Sequence, residues 1–306
     1  MIQILMSTFN GEKFIYEQLE SLRQQDYMNT CILIRDDGST DNTASIIVDY
    51  KKRNNPMRID FYQGPNIGVV RSFFDLLQNS NNNAEYYAFC DQDDYWLQNK
   101  LSRAVSKINE LPSNLPVMYC SRTQLVDESL QHRLGKWPPE ATREVGFANA
   151  LVQNVAVGCT IVLNKKARDL LLKKEPDFTN IIMHDWWAYL CISAFGNVVY
   201  DDEPFILYRQ HRNNAVGGNG SIVSKLAKRW SNFKKNGYKQ RYKIQAKEFY
   251  RLHSEDVPSE IKTILRNFIM DKNVISRVKY SLSGEVYRHS LIGNLALKLL
   301  IVSGRY

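Results

Sequence analysis

The run "DQDD", Asp91 to Asp94, places three carboxylates within four residues, directly after the apolar stretch Tyr86 to Cys90. Carboxylates this close repel one another, and each costs free energy to desolvate. A hard divalent cation relieves both penalties. Mg²⁺ or Mn²⁺ takes few carboxylates and completes its shell with water and phosphate oxygens, so such a turn is suited to a diphosphate. An isolated D-x-D is more often a solvated acidic loop; an apolar strand before it and a helix after it favour the metal reading.

A second acidic pair, Asp36 and Asp37 in "RDDGSTDN", also follows an apolar run. An ionised carboxylate only accepts hydrogen bonds, so Asp37 can take the N3–H of a uracil or thymine ring. Gly38 permits a close turn, and Ser39 to Asp41 offer helix caps. A third acid, Asp185 in "HDWWAYL", opens a predicted helix. It reads equally as a general base or as a carboxylate complementing a helix dipole. Its neighbours Trp186 and Trp187 could pack on a sugar and exclude water. Arg209 in "YRQHRNN" could meet phosphate. His211 could complete a metal site, although a lone histidine in a polar loop is more often solvated.

The elements that must position these residues are legible as alternating patterns. "IQILM" (2–6), "CILIR" (31–35), "RIDFY" (58–62) and "YYAFC" (86–90) read as strands. Between them, Ile15, Leu19 and Leu22, then Ala44, Ile47 and Val48, then Val70, Phe73, Phe74 and Leu77 mark helical faces. This β-α-β order predicts an α/β fold, a mostly parallel sheet with helices on both faces. Ligands in such sheets bind beyond the carboxyl ends of the strands. Four polar clusters fall there: 7–12, 36–42, 64–71 and 91–94. Further strands are expected at 117–121, 157–163, "NVVY" and "FILYR". Helices are expected around Phe147 to Leu151 and from His184 to a C-terminal cap at Gly196. A boundary is placed at "GGNGS" (217–221), giving a domain over 1–216 and a helical extension over 217–306.

The series "STFNGEKFIYEQLESLRQQ", "ILIRDDGSTDNT", "NIGVVRSF", "FCDQDDYWLQNKL" and "HDWWAYL" resembles family 2 glycosyltransferases of the GT-A fold, in family order and spacing over about residues 1 to 215. "HDWW", "DEPFILYRQHRNN" and "GVVRSF" look most like bacterial rhamnosyltransferases of cell-surface polysaccharide synthesis. The resemblance implies that Thr8 and Glu12 contact the nucleotide. It implies that Asp37 reads the pyrimidine and that Arg71 approaches base or diphosphate. By the same resemblance Asp91 holds ribose or metal, Asp93 the metal, and Asp185 is the base of an inverting transfer. His184, Trp186, Trp187 and Arg209 then fall on the sugar or acceptor side, and His211 with the metal. Two departures are visible: the usual "P-T-Y-N" opening reads Ser7-Thr8-Phe9-Asn10, and His184 stands where many members have glutamate.

The implied activity is transfer of a sugar, L-rhamnose from a dTDP donor or another sugar from a dTDP- or UDP-linked donor, to a glycan or lipid-linked acceptor. The alternatives are a nucleotidyltransferase, for which "STFNGEK" is a poor triphosphate loop, and a binding module without turnover. An aspartyl phosphatase lacks the arrangement it needs after Asp91.

The chain has 306 residues and a net charge of +8, which is unevenly spread. Residues 221–251 hold ten cations against Glu248, 10 − 1 = +9, leaving 8 − 9 = −1 for the rest. That segment, with Leu226, Trp230 and Phe233 on one helical face and Tyr238, Tyr242 and Phe249 beyond Gly237, fits an anionic lipid surface. No nucleic-acid recognition motif accompanies it, and a solvated helix docked on the catalytic domain fits equally. Leu291 to Val302 could lie at an interface, dock, or pair two copies as a homodimer. No leader and no membrane span is expected. Five scattered cysteines without a C-x-x-C pair indicate buried thiols in a reducing compartment and no zinc site. Together these imply a cytoplasmic protein, peripheral on the inner face of the membrane.

Overall fold

The computed structural model describes residues 1–53, 57–211 and 240–306. The expected alternation is present: β1 (Ile2–Thr8), α1 (Ile15–Arg23), β2 (Thr30–Asp36), α2 (Thr43–Lys52), β3 (Arg58–Gln63), α3 (Val69–Gln78) and β4 (Tyr86–Cys90). There follow β5 (Tyr95–Trp96), α4 (Lys100–Asn109), β6 (Val117–Ser121), β7 (Thr123–Val126), β8 (Arg133–Trp137), α5 (Phe147–Ala150), β9 (Val162–Asn164), α6 (Lys165–Lys173), α7 (His184–Phe195), β10 (Asn197–Asp201) and β11 (Ile206–Arg209). The described C-terminal part is helical: α8 (Arg241–His253), α9 (Ser259–Ile269), α10 (Val274–Ser283) and α11 (Leu291–Val302).

The main sheet runs β10-β6-β9-β4-β1-β2-β3. β3, β2, β1 and β4 are mutually parallel, whereas β9 is antiparallel to both its neighbours. Successive side chains of β1 serve opposite faces. Ile4 and Met6 join the apolar layer of α1, α2 and α4, while Leu5 joins the layer that includes α3, α6 and α7. Covering on both faces explains why these strands read as continuous apolar runs. A smaller sheet, β5-β11-β7-β8, stands beside the carboxyl end of β4.

Two expectations are corrected here. The predicted strand over 157–163 is a single 3-10 turn at Gly158–Thr160, and only Val162–Asn164 pairs in the sheet. Gly196 ends α7 as expected, but not in the left-handed conformation: its backbone is extended, at φ −160°. A side chain there would overlap the carbonyl of Pro116, so close approach of two backbones requires the glycine.

The expected boundary at 217 lies outside the described residues, as do Leu226, Trp230, Phe233 and Tyr238. The described part of the extension shares the catalytic unit's core. Phe249 of α8 is buried against Phe147 and Trp187, and the Arg288 guanidinium donates to the carbonyl of Val152 at 3.1 Å. All five cysteines are free and buried. Among the described residues, no helix is long and apolar enough to cross a membrane.

Candidate active site

The loops after β1, β2, β3 and β4 converge at one sheet edge and are tied together by side-chain to backbone bonds. Thr8 at the end of β1 is buried and donates to Asp36 at 2.9 Å. Asp36 also accepts from the Ser39 amide and hydroxyl, closing the turn at Gly38, whose φ of +80° is one that glycine tolerates. Glu12 accepts from the backbone and side chain of Asn42, joining the first loop to the second.

Asp37 is held from several sides. Its Oδ1 accepts from Arg35 at 2.5 Å and from the Ile67 amide at 2.9 Å, and its Oδ2 accepts from the Gly68 amide at 3.0 Å. Arg35 in turn pairs with Asp75 at 3.0 Å. Asp37, itself 3 % exposed, thereby fixes the loop that leads into α3. Arg71, in the first turn of α3, is exposed over the ring of Phe178. It lines a groove of about 400 Å³ with Ile67 and Glu175.

The acidic turn is built just as firmly. Gln92 accepts from the Phe9 amide and donates to the Phe9 carbonyl, both at 2.9 Å. Gly11 makes room for this side chain, since a Cβ there would overlap it. Asp93 Oδ2 lies 2.8 Å from His211 Nε2, and the imidazole rests on Phe14. Asp91 is partly accessible. Burial, the Asp93 charge and the Asp185 charge together push its carboxyl up to about 7. Asp94 is fully buried and its carboxyl is pushed up by burial and by both neighbouring carboxylates. Asp91, Asp94 and Cys159 offer atoms within 4.8 Å of one another. Burial keeps the Cys159 thiol protonated, whereas Mn²⁺ and Mg²⁺ favour oxygen donors such as the carboxylates of this turn.

Asp185 stands in the first turn of α7, partly accessible, and contributes to the field at Asp91. Its Oδ1 accepts from the Trp186 amide at 2.6 Å. Burial raises its carboxyl to about 6, against the opposing donors of Trp186, Asn154 and Gly158. That places it between an ordinary acid and a neutral-pH base.

Several expectations about the sugar side do not fit. Trp187 is 1 % exposed and packs in the core. The Trp186 indole donates to the Ala150 carbonyl at 2.6 Å and lies against Tyr242. His184 is buried, stacked 3.9 Å from Phe73, and desolvation drives its imidazole down to about 3, so it stays neutral. Arg209 does not face a phosphate. Its backbone amide donates to Asp94, and its guanidinium donates to the Asp93 and Glu128 carbonyls and to Glu17, over the ring of Phe14. It braces the acidic turn from behind. The bracing residues Arg35, Asp75, Gln92 and Glu17 were not singled out in the sequence. The one available signal was Arg35, a charge closing an otherwise apolar strand beside two acids.

With this arrangement described, relatives can be compared. The model of glycosyl transferase family 2 matches residues 3–171. The chain belongs to that family. It is 31% identical to the dTDP-rhamnosyl transferase RfbG of Shigella flexneri over 234 residues, covering 72% of this chain and 76% of RfbG. Its fold is similar to that of S. aureus TarS residues 1–349 in complex with UDP, with a TM-score of 0.60 and 16% identity over 99% of this chain and 87% of the other. It is also similar to a Pyrobaculum calidifontis mannosyltransferase in complex with GDP-Man and Mn²⁺, with a TM-score of 0.56 and 16% identity over 100% of this chain and 80% of the other. The fold is GT-A, and the family member described here is a glycosyltransferase rather than a nucleotidyltransferase.

Proposed function

We propose that this glycosyltransferase moves L-rhamnose from dTDP-rhamnose to a glycan or lipid-linked acceptor, with inversion, in cell-surface polysaccharide synthesis. One observation carries the chemistry: Asp185 is poised near pH 6 at the head of α7, close enough to the acidic turn for its charge to raise Asp91. In this reading the acceptor hydroxyl attacks the anomeric carbon as the bond to the diphosphate breaks. The hydroxyl proton passes to Asp185, and the nucleoside diphosphate leaves as an anion. A single displacement of this kind needs one base, unlike the two-carboxylate hydrolases.

Asp91, Asp93 and His211 would hold a divalent cation, whose contribution when bound is to neutralise charge on the diphosphate. Asp37, already fixed by Arg35 and two amides, would accept the pyrimidine N3–H, with Thr8 and Glu12 shaping the nucleotide loop and Arg71 at its rim. The similarity to RfbG supports the donor choice. We also propose that the acceptor is met at the inner face of the cytoplasmic membrane, a reading supported by the +9 charge of residues 221–251.

The test is a panel of dTDP- and UDP-sugars with the purified protein and Mn²⁺ or Mg²⁺, scored for nucleoside diphosphate release and product configuration. Release from dTDP-rhamnose with inverted product is expected. Preference for another donor overturns the sugar assignment, and a retained configuration overturns the role of Asp185.

A further inference from the structure

The last two helices each carry an aliphatic stripe that nothing in the described chain covers. On α11, Leu291, Ile292, Leu295 and Leu299 are 89, 81, 61 and 64 % exposed. Leu297 and Ile301, on the opposite side of the same helix, are buried. On α10, Ile275 and Leu282 are 69 and 70 % exposed and Val278 lies between them, while Tyr280 is buried behind. A helix apolar on all sides needs apolar surroundings on all sides. Single exposed leucines are ordinary; two stripes on two packed helices are not.

The charges flanking these stripes identify what covers them. Neither α10 nor α11 contains an aspartate or glutamate. Lys279 and Lys298 sit on these helices, and among the described residues neither has an acidic partner. Long cationic side chains at the edge of an apolar stripe can lay their stems along acyl chains and raise their heads to phosphates. A two-fold pairing of copies would instead bring like charges toward each other, and the stripes offer none of the aromatic or arginine anchors that centre protein interfaces.

We propose that α10 and α11 form a membrane-docking face that inserts Leu291, Ile292, Leu295, Leu299, Ile275 and Leu282 into the headgroup boundary of an anionic phospholipid bilayer. This deepens the membrane reading given above but rests on different residues: insertion by aliphatic side chains, not attraction by the basic segment. The two make opposite predictions about salt. Attraction alone fades as the Debye length shortens, whereas an inserted apolar face holds.

The full-length protein is mixed with vesicles of phosphatidylglycerol and phosphatidylcholine, or of phosphatidylcholine alone, and floated on a density gradient at low and high salt. Wild type is expected to float with the anionic vesicles and to remain partly bound at high salt. The combined variant Leu291→Ser, Leu295→Ser, Leu299→Ser is expected to lose binding at least about tenfold. Its thermal melt and donor hydrolysis should be unchanged, because these side chains are already in water. Lys279→Glu with Lys298→Glu should weaken binding to anionic vesicles only. If wild type floats at low salt, releases fully at high salt and the serine variant behaves identically, the docking face is refuted and the basic segment is the anchor. If wild type never floats, both readings fail. If wild type is a dimer that the serine variant converts to a monomer, and neither floats, the face joins two copies and the proposal is wrong.

Discussion

The Nε2 of His211 lies 2.8 Å from the Oδ2 of Asp93, so the polar loop after β11 reaches the acidic turn after β4. In the proposed chemistry both residues serve one cation, and the pairing gives that reading a test. Asp93→Asn and His211→Ala should each weaken nucleoside diphosphate binding in Mn²⁺ by about tenfold or more, with little change in EDTA. Calorimetry in the two buffers is the measurement, and equal affinity of His211→Ala and wild type in Mn²⁺ would remove His211 from the site.

Asp185→Asn keeps the shape of the side chain and one accepting oxygen but cannot take a proton. Turnover should fall roughly 10²–10⁴-fold while donor affinity survives. In the wild type, the base is active only when ionised. With the carboxyl held up at about 6, turnover should decline as pH drops below that value. A flat profile between pH 5 and 8 would argue against this base.

The same residue makes a stability prediction of opposite sign. Its carboxyl, normally near 3.8, is raised to about 6 in the folded protein. The folded state therefore binds the proton more tightly than the unfolded chain. The stability this lends is full below about pH 4 and is lost as pH rises through about 6. Above that, the buried charge costs on the order of 3 kcal/mol. Asp185→Asn should melt higher than wild type at pH 7.5, with the gap closing near pH 4. A lower melting temperature at pH 7.5 would show that the native carboxylate is net stabilising.

Arg209 is 2 % exposed. Removing it leaves the Asp93 and Glu128 carbonyls without their donor, and Arg209→Ala should cost about 1–3 kcal/mol for each carbonyl left buried and unpaired. Arg209→Lys restores charge but not the fork and should recover only part. A phosphate-binding arginine would instead raise KM with the melting temperature unchanged, so denaturant midpoints together with KM separate the two roles.

Much of this molecule could be read from its residue order because α/β units announce themselves locally. The four parallel strands and three intervening helices follow from apolar runs and helical spacing, and the polar loops at their ends follow from the rule for open sheets. The antiparallel β9 was not legible. Whether "TIVL" points up or down depends on pairing with β4 and β6, forty residues or more away in partners such as Met118 and Leu163. Trp187 and His184 misled because an aromatic beside an acid looks the same in sequence whether its ring faces a cleft or a core. The position of α8 decides it, since Phe249 covers Trp187. Arg209 misled for a similar reason: a guanidinium satisfies a backbone carbonyl as well as it does a phosphate.

The grip of Gln92 on Phe9 has a consequence for the variation this position tolerates. One amide side chain supplies both a donor and an acceptor to a single backbone unit, so it performs the pairing that a neighbouring strand would otherwise provide. Glutamate has the shape but would set an anion against the Phe9 carbonyl; asparagine has both groups on a stem one carbon shorter. The second letter of the acidic run, which carries no charge and touches no ligand in the proposed chemistry, is thus as constrained as the letters on either side of it.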